Sequence, residues 1–350
     1  MARARACNFI RDLGTQASLG VFVATFVYSV LALQSVPDPP RSFVPHLSTS
    51  VAVGLVLVDL GVLIYFIDHV ARSIQLTSVV SGIARDFRTT LAQRQADEWQ
   101  LVQIGRDHDD FDELSRLADL GGSIAAHTSG FLQAVGYERL VAIAAQSDGV
   151  IRLLHRPGHF VVAGQPLARV VPLSAVGPVS RALVRTHIVG PNRTLTQDPG
   201  FAIDQLVEVA LRALSPAVND TFTALNCIDW LGDCLCYAYS QPLPSGIYCD
   251  DGGNVRVIEP VIDHERLLKG ATDKIRQAGH GMPAILIRQL ENLQKVMRLV
   301  SMPGQREMVL HHARMVLGAS EASVGEESDR RDVRAAYDVL LAITSDMWDD

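Results

Sequence analysis

The 350-residue sequence has little lysine and little cysteine. Only Lys269, Lys274 and Lys295 are present, so the basic side is nearly all arginine, and the net charge is −7. A nucleic-acid binder needs a dense Lys/Arg face to neutralise phosphates, so that class is excluded as a partner. Cys7, Cys227, Cys234, Cys236 and Cys249 are too few and too clustered to form a disulfide framework. They fit a reducing, cytosolic setting for the soluble part. No phosphate loop, nucleophile elbow or HExxH motif occurs. Cys227, Cys234 and Cys236 have the wrong spacing for zinc, and the adjacent His311-His312 rings point to different faces of a helix. The acidic run Asp107 to Glu113 lacks the spaced ligands of a calcium loop and reads as a solvated helix start. No metal, cofactor or catalytic residue is therefore expected.

The sequence does contain hydrophobic stretches, and mean hydropathy is +0.18. Leu13 to Val36 carries no charged side chain and is long enough to cross a bilayer of about 30 Å. It is too long for a typical signal-peptide core, and no small-x-small site precedes Pro37. A second apolar segment, Leu47 to Ile67, contains Asp59. A central Asp costs about 2.5–3.5 kcal/mol on an insertion scale, and the segment's aliphatic and aromatic side chains return on the order of 5 kcal/mol. Insertion is favoured. The short connection from Pro37 to His46 makes the pair an antiparallel hairpin, with spans at about 14–35 and 47–67. Arg3, Arg5 and Arg11 precede it and Arg72, Arg85, Arg88 and Arg94 follow it, with only Arg41 between. The positive-inside rule then places both termini in the cytoplasm.

Asp59 is the intramembrane polar candidate, with Thr25 and Tyr28 at about the same depth. An ionisable group there marks an ion or proton path, or it fastens two helices by a hydrogen bond. Beyond it, Ile74, Val79, Val80, Ile83, Phe87 and Leu91 recur at helical spacing, so an amphipathic helix continues to about Gln95.

Ser129–Val135 suits a strand, Tyr137–Gln146 a short helix and Val150–Leu154 another strand. The turn at Arg156-Pro157-Gly158 and the hairpin at Ala163-Gly164 complete a small β-module resembling half of a lipoyl-type barrel-sandwich. Its hairpin has no lysine, which excludes covalent lipoyl or biotin attachment there.

Asp198-Pro199 is a strong helix start, with a capping carboxylate and proline at the first helical position. Ile203, Val207, Ala210, Leu211 and Leu214 form its buried stripe, and Asp204, Glu208 and Arg212 line another face. Ser215-Pro216 ends it, and Asn219 or Asp220 caps the next helix, which runs through Thr223 to about Tyr239. Asp204, Glu208, Asn219, Asp220 and Thr223 either converge on a site at this turn or serve as salt bridges and helix caps. Asp263 to about Val316 and Asp329 to Met347 read as helical, with Ala319–Glu327 a polar linker.

The run Arg193 to Glu208, continuing through Arg212 to Asp220, resembles the bacterial predicted-membrane-protein family known as domain of unknown function 2254. Ser129–Val135, Arg156-Pro157-Gly158 and Asp273–Ile287 are similar to the same family, so nearly the whole chain is covered. The resemblance implies a bacterial inner-membrane protein and transfers no catalytic residues. Family members look like four-span proteins, so the chain resembles one lacking its first transmembrane hairpin. Thr221 stands where the family commonly has proline.

The expected fold is a membrane α-helical hairpin (1–70), a connecting amphipathic helix (71–104), an α/β module (105–190) and a helical domain (191–350). Together they make a hairpin plus an α+β, mostly helical cytoplasmic domain with a small β-module. The expected function is an oligomeric, channel-like or ligand-sensing membrane protein whose partners are the lipid bilayer and further copies of itself. The candidate cytosolic motif comprises Arg193, Asp198, Asp204, Glu208, Arg212, Asn219, Asp220 and Thr223. The alternatives are a membrane-anchored enzyme using Asp204, Glu208, Asn219 and Asp220, or a non-catalytic scaffold.

Overall fold

A computed structural model describes residues 13–34, 46–73, 76–101 and 120–348. The N-terminal arginines, the connection Pro37–His46 before the second helix, and the acidic run 107–113 lie outside the described residues, apart from His46. The chain divides into two compact units, Met1–Val79 and Val80–Asp350.

The first unit contains α1 (Leu13–Gln34) and α2 (His46–Ser73), which pack on each other. The Thr25 hydroxyl donates to Asp59 Oδ1 at 3.2 Å, and Tyr28 Oη donates to the Ser48 carbonyl at 3.3 Å. These pairings run the two helices in opposite directions. Within α2, Ser50–Ile67 is long and apolar enough to span a membrane, and none of that window is buried. The described apolar part of α1, Ser18–Gln34, is shorter than a span. Val56, Leu57, Leu60 and Ile64 all lie exposed. A soluble monomer rarely exposes so continuous an apolar surface, whereas lipid favours it.

α3 (Leu76–Leu101) enters the second unit at Val80 and buries Val80, Ile83, Ala84, Phe87 and Leu91. The expected stripe is therefore present from Val80 onward, with Val79 half-buried and Ile74 outside the described residues, and the helix extends past Gln95. The α/β part follows as β1 (Gly122–Ala125), β2 (Gly130–Val135), α4 (Tyr137–Gln146), β3 (Val150–Leu153), β4 (Phe160–Val161), β5 (Pro166–Val171), α5 (Val176–Thr186) and β6 (His187–Gly190). In α4, Tyr137, Leu140, Val141 and Ala144 are buried, the i, i+3, i+4, i+7 spacing that turns one helix face inward.

The helical part comprises α6 (Pro199–Ala213), α7 (Thr221–Tyr239), α8 (His264–Ala278), α9 (Pro283–Met297), α10 (Pro303–Ser323) and α11 (Glu327–Trp348). Two strands interrupt it, β7 (Ile247–Cys249) and β8 (Val255–Ile258). They join a five-stranded sheet of order β1-β5-β3-β8-β7, in which β3 and β8 are parallel and the other pairs antiparallel. β4-β2-β6 form a second, antiparallel sheet. This departs from the expected separation of an α/β module from a purely helical 191–350, because the later segment supplies two strands to the earlier sheet. The sheet's core includes Leu132, Leu140, Ile151, Leu153, Val170, Leu183, Tyr248 and Val257. The expected linker at Ala319–Glu327 is also shorter. α10 continues to Ser323, with Ser320 fully buried and Val324 buried beyond it.

Candidate functional site: a cationic cleft beside a closed ionic cluster

The segment Arg193–Asp198 is pinned on two sides. Gln197 pairs with the backbone of Val135 on β2, accepting from its N–H at 2.7 Å and donating to its carbonyl at 3.0 Å. The Thr90 hydroxyl of α3 donates to the Leu195 carbonyl at 2.8 Å. The turn before β4 is pinned to the same strand, since Gly158 N–H donates to the Leu132 carbonyl and Leu132 N–H to the His159 carbonyl. One strand thus positions Arg156, His159 and Arg193 together.

Asp198 is 1% exposed and sits among these groups. Arg193 donates to its Oδ2 through Nε at 2.9 Å and Nη2 at 2.6 Å, while Nη1 reaches Asp204 Oδ2 at 2.6 Å. Arg156 Nη1 lies 3.6 Å from Asp198 Oδ1. Asp198 occupies the N-cap position of α6 as expected, yet its side chain makes no capping hydrogen bond, because Arg193 holds it. Burial raises the Asp198 pKa, and Arg193 and Arg156 oppose that rise. Burial also works to lower Arg193, but Asp198 and Asp204 more than reverse it. Gly158 lies against this carboxylate with φ +94°, and a Cβ there would stand 2.0 Å from Asp198 Oδ2. Only glycine suits both that backbone and that approach.

Above this pair opens a cleft of about 380 Å³ between the Arg156–His159 turn, the start of α6 and the first turns of α8. Its walls carry Arg156, Arg193, Arg266, Lys269, His159 and Asp204, with glycine at 158, 200 and 270. Among the described residues neither Arg266 nor Lys269 forms an ion pair, and both are exposed. Burial lowers the pKa of Arg156, and the neighbouring Arg266 and Arg193 add to the effect. The same burial and cations push His159 down to about 4, so its ring is neutral at pH 7.

A second cluster lies deeper. Glu259, with a fully buried side chain, is paired with Arg94 of α3. Tyr137 Oη donates to Glu259 Oε2 at 2.6 Å and Tyr248 Oη to Oε1 at 2.8 Å. The two tyrosine rings stack at 4.3 Å, and the Arg94 guanidinium lies 5.0 Å from the Tyr137 ring centre. Burial and Glu259 raise the pKa of both phenols.

The remaining motif residues are placed as follows. Glu208 pairs with Arg212 on the exposed face of α6 at 2.5 Å. Asn219 is exposed in a left-handed turn, φ 48°, between α6 and α7. Asp220 caps α7, accepting from Thr223 N–H at 3.0 Å and Thr223 Oγ1 at 2.5 Å. Asp204, on the cleft wall, is held by Arg193. Each of these carboxylates thus has its own partner. Among the described residues, no three His, Cys, Asp or Glu side chains gather where they could hold a metal. Cys227, Cys234 and Cys249 are buried, and burial pushes the Cys227 thiol up to about 12.

Arg266, Lys269 and His159 of the cleft, and Glu259 of the closed cluster, were not legible as site residues from sequence. The available signal was the rarity of lysine: one of only three lines the cleft.

The family model described as predicted membrane protein (DUF2254) matches residues 5–295. The chain belongs to this family. The match includes every cleft residue from Arg156 to Gly270. The chain is also similar to uncharacterized proteins of Mycobacterium bovis and of two strains of Mycobacterium tuberculosis. Each is 30% identical over 337 residues, 94% of this chain and 63% of the relative. The chain therefore spans just under two thirds of the length of the curated relatives it matches. No solved structure matches it.

Proposed function

We propose that this family member is a membrane-anchored ligand sensor, in which the second unit binds a small anionic ligand in the cationic cleft. The observation carrying the reading is that the cleft combines Arg266 and Lys269, which have no ion-pair partner among the described residues, with the buried Arg156 and the half-buried Arg193, in a protein of net charge −7. Unpartnered cations lining a concave site of this size suit an anionic ligand. The route from ligand to membrane is α3. Its Thr90 bonds the Arg193–Asp198 segment, its Arg94 bonds Glu259, and in chain order it follows the apolar helix α2.

In the full reading, α1 and α2 are both membrane-spanning and the termini lie on the cytoplasmic side of a bacterial inner membrane. Copies of the chain assemble around the hairpin into a channel-like or transport-like oligomer. The Asp59–Thr25 bond is then the polar contact at the core of that hairpin. Asp59→Asn preserves the hydrogen bond and removes the charge, so a phenotype in that variant separates a titrating role from a fastening one. Binding is favoured over membrane-anchored catalysis because Asp204, Glu208 and Asp220 are each held by a neighbouring side chain.

The test is thermal unfolding of the full chain in detergent against a panel of small anions: phosphate, succinate and acetate. At least one anion raises the midpoint, and the Arg266→Glu/Lys269→Glu variant loses that response. An unchanged midpoint with every anion, or an equal response in the variant, overturns the reading.

A further inference from the structure

The charge balance of the cleft narrows its ligand. Four side-chain cations, Arg156, Arg193, Arg266 and Lys269, face it or lie directly behind it. Two carboxylates, Asp198 and Asp204, are bound among them. Glu259, the next acid inward, is already paired with Arg94. Arg266 and Lys269, exposed at the cleft mouth, have no ion-pair partner among the described residues, although Asp263 and Glu265 stand at the same end of α8. The two cations sit three residues apart on one helix and so share a face. A ligand that matches them carries two negative charges on one compact group.

The backbone adds to this. α6 and α8 are each fifteen residues long and line the cleft with first-turn residues, Gly200 and Arg266 with Leu267, the α8 end being capped by Asp263, which accepts from Arg266 N–H at 2.7 Å. Helix N-termini concentrate N–H donors and partial positive charge, which favours anions. The Asp198 carboxylate makes no capping hydrogen bond to α6 because Arg193 holds Oδ2, while its Oδ1 stays beside Gly200 of that first turn. Glycine at 158 and 200 lets the Asp198 carboxylate lie close to the main chain at the cleft floor. Arginine forks and a lysine point charge are together the side chains that recognise phosphoryl oxygens.

We propose that the cleft between α6 and α8 binds the dianionic phosphoryl group of a small phosphate monoester, with Arg266 and Lys269 as its charge partners. This rests on the anion-sensing reading and specifies its ligand class. The same chemistry is offered by a soluble ester or by a phosphomonoester lipid headgroup. A monoanionic carboxylate leaves one cation unmatched. A dicarboxylate spreads its charge over two groups.

The experiment is calorimetric titration of the full chain in detergent with glycerol 3-phosphate, inorganic phosphate, succinate and acetate, and co-flotation with vesicles containing phosphatidic acid. Glycerol 3-phosphate binds, and more tightly at pH 7.5 than at pH 5, because its second ionisation lies near pH 6. Arg266→Gln and Lys269→Gln each weaken binding at least about tenfold while the far-ultraviolet spectrum stays unchanged. Arg266→Lys recovers part of the loss. Binding of the soluble esters identifies a soluble ligand; flotation that depends on Arg266, without soluble-ester binding, identifies a headgroup. Both outcomes support a phosphoryl site. If succinate binds and no phosphate species does, the phosphoryl assignment is overturned while the anion reading stands. If no anion binds, both are overturned.

Discussion

Arg94–Glu259 and Arg266/Lys269 are two solutions to the same problem, a positive charge held beside a folded core. In the first, the guanidinium is 9% exposed and its carboxylate partner is fully buried, with both carboxylate oxygens accepting from tyrosines. Every group in that cluster is matched from within the chain, as a buried charge must be. In the second, the cations stand exposed at the mouth of a cleft with no carboxylate paired to them among the described residues. The first cluster is complete and so is architecture, joining α3 to the sheet through Tyr137 and Tyr248. On the proposed reading the second is completed by an anion from outside. The boundary between them is Asp198 and Arg156, buried like the first and opening onto the second.

If that contrast is right, the closed cluster carries stability and the open one carries binding. Glu259→Ala leaves Arg94 buried and unpaired, and unfolding in urea shows a loss of about 3–5 kcal/mol. The double variant Arg94→Met/Glu259→Leu recovers much of it. Next in size is Gly158→Ala, which sets a Cβ against Asp198 at a positive φ. It costs about 2 kcal/mol or more by the same measurement, and reduces anion binding as the Arg193–Asp198 pair shifts.

The pH response separates a core histidine from the cleft. Burial holds His187 down at about 4, against an ordinary value of 6.5. The folded state therefore binds fewer protons than the unfolded state between those values, so stability is full above about pH 6.5 and falls as pH drops towards 4. Relative to His187→Gln, the natural chain loses about 2 kcal/mol of unfolding free energy between pH 7 and pH 5. The smallest effect on stability is that of Arg266→Gln, within about 0.5 kcal/mol, although it weakens binding at least about tenfold. A destabilisation as large as that of Glu259→Ala would erase the distinction between the two clusters.

Local pattern made much of this fold legible. The short helix expected at Tyr137–Gln146 coincides with α4 at both ends, and Asp198-Pro199 located the start of α6. Asp220, one of the two caps expected for α7, is the residue that caps it. What stayed hidden depends on partners far apart in sequence. Ile247–Cys249 and Val255–Ile258 are three and four residues long, too short for alternation to register, and they are strands because β3 lies beside β8. Arg94 and Glu259 are 165 residues apart, so neither announces the other. The motif around Arg193 was found from its residues, and Asp204 and Arg193 do line the cleft. Arg266 and Lys269 join them only because α8 packs against α6.

His159 reports directly on whether the open cleft takes an anion, because its ring lies in the wall beside Arg156, Arg193 and Arg266. Carbon-labelled histidine in the full chain, with His159→Gln to assign its signal, gives the ring's titration by nuclear magnetic resonance. Without ligand the midpoint lies at about 4, held there by burial and the surrounding cations. With saturating glycerol 3-phosphate the account predicts a rise towards the ordinary histidine value, as the added negative charge offsets those cations. A midpoint that does not move while the phosphate is shown to be bound would place the ligand elsewhere and contradict the account.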